Sequence, residues 1–75
     1  MNDQQRAILD FEKRFYATQS GKENDIREQF GMSAVRYYQI LTALLDEADA
    51  LAAEPVLVKR LRRIRDSRAK LRRAG

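Results

Sequence analysis

The chain of 75 residues contains no cysteine and no histidine. That double absence removes disulfides, thiolate nucleophiles, imidazole bases and the commonest zinc ligands together. A lack of disulfides also suits a reducing cytoplasm. No segment approaches the roughly 18 consecutive apolar residues that a membrane span requires. The start, "MNDQQR", runs into a charged helix rather than the apolar core of a signal peptide. The expectation is a soluble, cytoplasmic protein without a membrane span. Its length allows one domain and no large core, so an enzyme with a substrate cleft is not expected. There is no nucleophile beside a base, no catalytic carboxylate pair and no phosphate-cradling glycine loop, which leaves no small-molecule substrate and no cofactor to expect. Asp46, Glu47 and Asp49 form an acidic cluster. They lack the alternating oxygen spacing and the glycine of a calcium loop, so they read as a solvated face and not as a metal site.

With a single proline and three glycines, breaks in the chain are few. What fills the space between them is helical periodicity, with no alternation of the kind that marks strands. The expected fold class is all-α: a small helix-turn-helix domain of four to five helices with a long basic C-terminal helix. Asn2 or Asp3 caps a first helix through about Ala17, whose core face carries Ile8, Phe11 and Phe15, flanked by Leu9 and Tyr16. "TQSG", Thr18 to Gly21, ends it. Ser20 with Glu23 then fits the capping box of a second helix that runs to Phe30 with Ile26 and Phe30 inward. Gly31 stands where a left-handed residue stops a helix, Met32 plugs the core, and Ser33 caps a third helix by accepting from an amide near Arg36. Tyr37, Ile40, Leu41 and Leu44 face inward; Ala34, Val35, Arg36, Tyr38, Gln39 and Thr42 face mostly outward.

The spacing of Ile26, Phe30, Gly31, Met32, Tyr37 and Ile40 resembles the helix-turn-helix pattern, over about residues 21–45. One position departs from it: Arg27 stands where a small residue is preferred, and its side chain would have to snorkel past the neighbouring helix. The chain as a whole also resembles a family of small, uncharacterised actinobacterial proteins. The shared elements are the "ILDFE" of Ile8 to Glu12, the "RYYQ"-containing centre of Ile26 to Gln39 and the "LAA…P…LVKRLRR…RD" end of Leu51 to Asp66. That resemblance implies no settled activity. A helix-turn-helix would lay its second helix, 34–45, in the major groove of DNA, where Arg36 suits guanine, Gln39 suits adenine, and Ser33, Tyr38 and Thr42 reach phosphates or bases. A plain link between two core helices is the competing reading of Gly31, and a packed shoulder is that of Tyr38.

Net charge is +4, but its division along the chain says more. Residues 1–54, the helical body, hold six Lys/Arg and ten Asp/Glu; residues 55–75, a basic C-terminal helix or arm, hold nine Lys/Arg and one Asp. A polyanionic partner is the expectation for the second part. Asp46 is expected to cap a short acidic helix, and Pro55 to open the last one. On that last helix Leu57, Leu61, Ile64 and Leu71 form an apolar stripe interrupted by Arg68. Lys59, Arg60, Arg62, Arg63, Arg65, Lys70, Arg72 and Arg73 surround it. With Arg68, these cations are the candidate phosphate contacts. The core is expected from Ile8, Phe11, Phe15, Ile26, Phe30, Met32, Tyr37, Ile40, Leu41, Leu44, Leu51, Leu57 and Leu61. The functional expectation is a DNA-binding, nucleoid-associated factor or small transcriptional regulator, with a homodimer as the remedy for a short reading head. An RNA- or ribosome-associated protein and an adaptor of the transcription machinery stay open beside it. A membrane-surface role for the last helix fits less well, since its stripe has neither Trp nor Phe.

Overall fold

A computed structural model describes residues 1–14 and 17–74, with residues 68–74 described by their helical backbone alone. The described chain is all-helical: α1 Asp3–Glu12, α2 Gln19–Phe30, α3 Ala34–Leu44, α4 Ala48–Ala53 and α5 Pro55–Ala74. Among the described residues no helix is long and apolar enough to cross a membrane.

Local chemistry explains where each helix begins. Asn2 Oδ1 accepts from the Gln5 amide at 2.8 Å, and Gln5 Oε1 accepts from the Asn2 amide at 3.0 Å, a reciprocal capping box at the start of α1. Helix α1 stops at Glu12, short of the expected Ala17. The amides of Lys13 and Arg14 turn to the carbonyls of Asp10 and Phe11, three residues back, and this tighter winding closes the helix. The cap of α2 is also not the expected one. Thr18, extended at φ −133°, accepts from the Gly21 amide at 3.1 Å, so the helix already includes Ser20 and that hydroxyl sits within the first turn rather than before it.

Gly31 and Ser33 take the turn and cap positions expected of them. Gly31 is left-handed at φ 66°, and its amide bonds the Arg27 carbonyl at 2.9 Å. A β-carbon built there would meet nothing within 4 Å, so glycine is favoured by backbone conformation and not by crowding. Ser33 Oγ accepts from the Arg36 amide at 3.2 Å and opens α3. Asp46 does not cap α4: Glu47 holds that position without a side-chain bond, while Asp46 Oδ1 turns to Arg65 at 3.1 Å. Pro55 opens α5 as expected, where its missing donor leaves no bond unmade.

The core gathers around Tyr37, which is fully buried. Its ring lies 5.7 Å from that of Phe11 and 5.5 Å from that of Phe30, while Phe11 and Phe30 meet edge-on at 5.5 Å. One aromatic cluster thus joins α1, α2 and α3. Ile8, Phe11, Ile26, Tyr37, Leu41, Leu44 and Leu57 are buried as expected, and Phe30, Met32, Ile40, Leu51 and Leu61 pack partly buried against them. Phe15 and Tyr16 lie outside the described residues. Leu9, Leu45, Ala50 and Val58 are buried too and were not in the expected core. Val58 matters most of these, because with Leu57 it makes the first turns of α5 part of the body. Ion pairs reinforce the junction: Glu54, just before α5, meets Arg6 at 2.9 Å and Lys13 at 2.6 Å.

Candidate nucleic-acid interface

Helix α3 is divided lengthwise. Tyr37, Leu41 and Leu44 are buried on one side. On the other, Val35, Arg36, Gln39, Thr42 and Ala43 are exposed. This strip carries one cation and no acid. Among the described residues the Arg36 guanidinium enters no ion pair and no hydrogen bond. Arg27, the residue that departs from the helix-turn-helix pattern, is exposed on α2, so its long side chain crosses no packed surface. Ser33 is occupied by its capping bond.

Tyr38 is half-buried beside the strip. Its hydroxyl accepts from Gln19 Nε2 at 3.0 Å, the Lys22 ammonium lies 5.4 Å from the ring centroid, and the ring stands edge-on to Tyr37 at 5.2 Å. These contacts make it a bridge from α3 to the start of α2. Behind it, buried Glu12 accepts a hydrogen bond from the Tyr37 hydroxyl and an ion-paired bond from Lys22 Nζ at 3.1 Å. A carboxylate with both a hydroxyl donor and a cation is satisfied at low exposure, and the three groups fix α1, α2 and α3 against one another. Sequence reading missed this role of Glu12. The available signal was its place one turn after Ile8, on the face that packs inward.

The cations of α5 separate into two groups. Arg62 Nε donates to the Leu45 carbonyl at 2.6 Å, and Arg65 Nη1 to the Thr42 carbonyl at 3.4 Å and to Asp46 Oδ1 at 3.1 Å. Both therefore serve the C-terminal end of α3, whose last carbonyls have no intrahelical donor and whose dipole favours positive charge. The hydrogen bond from Arg65 to Asp46 stabilises its charged form further. Lys59, Arg60 and Arg63 are exposed and enter no ion pair among the described residues. By helical geometry Lys59 and Arg63 lie on the side of α5 opposite Leu57, Val58 and Leu61, and Arg60 lies at the edge of that buried face. Lys59 and Arg63, with Arg62, Asp66 and Ser67, line a shallow cleft of about 370 Å³. The side chains of Arg68, Lys70, Arg72 and Arg73 lie outside the described residues.

Between α3 and α5 runs a second groove, of about 770 Å³, with Leu41, Leu45, Leu61 and Ile64 as its apolar lining and Lys22, Tyr38, Thr42 and Arg65 among its polar residues. No group of three or more carboxylates with metal-holding geometry occurs among the described residues.

The family described as "Protein of unknown function (DUF3263)" has a model that matches residues 1–73. The chain belongs to this family. No curated protein and no solved structure matches it. The DUF3263 match spans the body and α5 together, in keeping with Leu57 and Val58 being core residues of a single packed unit.

Proposed function

We propose that this DUF3263 chain is a small DNA-binding protein, a transcriptional regulator or nucleoid-associated factor. In this reading α2, the Gly31 turn and α3 act as a helix-turn-helix that presents α3 to the major groove. The cations left free on α5 hold backbone phosphates. The observation that carries the reading is the exposed strip of α3, acid-free and bearing Arg36, Gln39 and Thr42, on a helix anchored by its opposite side. Arg36 and Gln39 have the side chains that recognise guanine and adenine edges by paired hydrogen bonds. Lys59, Arg60 and Arg63, which enter no ion pair among the described residues, supply attraction for phosphate, and a homodimer would add a second half-site.

Duplex binding measured over a salt series tests this. Wild-type affinity should fall linearly on logarithmic axes, by about 0.9 for each phosphate neutralised. Arg36→Ala and Gln39→Ala should weaken binding with the helical signal and the melting temperature nearly unchanged. An absence of duplex binding at low salt, or full binding by both variants, would overturn the reading.

A further inference from the structure

We infer that Val35 is a specificity-determining residue that contacts the C5-methyl group of thymine. The inference rests on the DNA-binding reading and sharpens it, naming a chemical feature of the target that phosphate attraction cannot supply. Val35 is 70% exposed in the first turn of α3, at the end that the Gly31 turn and the Ser33 cap hold in place. A β-branched apolar side chain there adds nothing to the core and is a weaker helix former than alanine.

Its neighbours give it a context that a lone surface valine lacks. Val35, Gln39 and Thr42 follow one another at i, i+4 and i+7 along the strip, with Arg36 beside them. An apolar group in the first turn of α3, next to Arg36 and one turn before Gln39, matches the major-groove edge, where thymine is distinguished by its methyl group. The strip carries no acid to repel a polyanion. The contact also separates DNA from RNA, since uracil lacks that methyl and the deep, narrow major groove of an RNA helix does not admit side chains.

The test starts with a duplex site selected by the full-length chain from a random pool. Each thymine of the site is then replaced in turn by deoxyuridine, which removes one methyl and leaves the protein untouched. Wild type should lose about three- to fivefold in affinity at one or two positions, the effect of one buried methyl group. Val35→Ser keeps nearly the same helix propensity, so it should fold normally and be indifferent to that replacement. An enriched site insensitive to deoxyuridine at every thymine, or a Val35→Ser variant as sensitive as wild type, overturns the inference and leaves the DNA-binding reading standing. Salt-dependent binding without any enriched site does the same. Failure of all duplex binding overturns both.

Discussion

Arg62 and Arg63 are adjacent in one helix and chemically identical, yet they do opposite things. Arg62 turns inward to the Leu45 carbonyl, whereas Arg63 is exposed and enters no ion pair among the described residues. The same division separates Arg65 from Arg60. A count of cations therefore overstates the side chains whose donors are all available to a partner. Part of the set completes the end of α3, where unpaired carbonyls and the helix dipole call for positive charge. The body shows the converse: its polar residues Glu12, Lys22 and Tyr37 are drawn together inside, and the one exposed cation of α3, Arg36, is left clear of them.

The strongest way to break this comparison is to remove each group of cations separately. Changing Lys59, Arg60 and Arg63 together to Gln should leave the melting temperature nearly unchanged. It should weaken duplex binding on the order of tenfold to hundredfold and flatten the salt slope by about 0.9 per lost contact. Arg62→Gln should do the reverse: destabilise folding by about 1 kcal/mol through the lost bond to Leu45 while leaving the salt slope little changed. Chemical denaturation and a salt titration of each variant decide the matter. An equal slope change in both would mean that the two groups are not distinct.

Tyr37→Phe sharpens the comparison from the interior. Losing a hydroxyl donor to a buried carboxylate should destabilise by about 2 kcal/mol in denaturant titration, because the phenyl ring keeps the aromatic packing but not the bond. A neutral result would show that Glu12 is held by Lys22 alone. Gly31→Val should cost about 1 kcal/mol or more. With open space around the β-carbon position, all of that cost is backbone strain, so Gly31→Asn should recover part of it.

The smallest effect concerns pH. The bond from Lys13, supported by Arg6, holds the Glu54 carboxyl below its usual range, and the same bond raises Lys13. Glu54 is the lowered case, so its contribution is complete above its unfolded pKa and disappears as pH falls through the lower folded one. Lys13 is the raised case: its contribution is complete below the unfolded value and disappears as pH rises through the folded one. Glu54→Gln should therefore flatten the acid limb of a stability–pH curve and reduce the alkaline loss as well. An acid limb identical to wild type would remove the junction pair as a contributor.

The resemblance to a small uncharacterised family was legible in "ILDFE", "RYYQ" and the "LVKRLRR" end, and the DUF3263 match bears it out. The Gly31 turn, the Ser33 cap and the inward face of α3 were legible because each depends on residues within a turn or two of one another. Left-handed backbone favours glycine, an N-cap hydroxyl reaches its own helix, and apolar residues recur every three or four positions. The α2 cap was misread: Ser20 and Glu23 have capping-box spacing, yet Thr18 Oγ1 takes the Gly21 amide and Ser20 falls inside the helix.

What sequence alone determined is thus an all-helical chain with an acidic first part and a basic last helix. Only tertiary structure decided which charges remain available. Arg62 and Arg65 bond the end of α3 because it lies beside α5, and Asp46, whose amide closes the last turn of α3, meets Arg65 from 19 positions away while Glu47 takes the N-cap of α4. Glu12 is buried because Tyr37, 25 positions later, brings it a hydroxyl. Local spacing carries helix starts and faces, whereas the pairing of a charge with a carbonyl or hydroxyl across the fold depends on how the helices pack, which spacing within one helix does not encode.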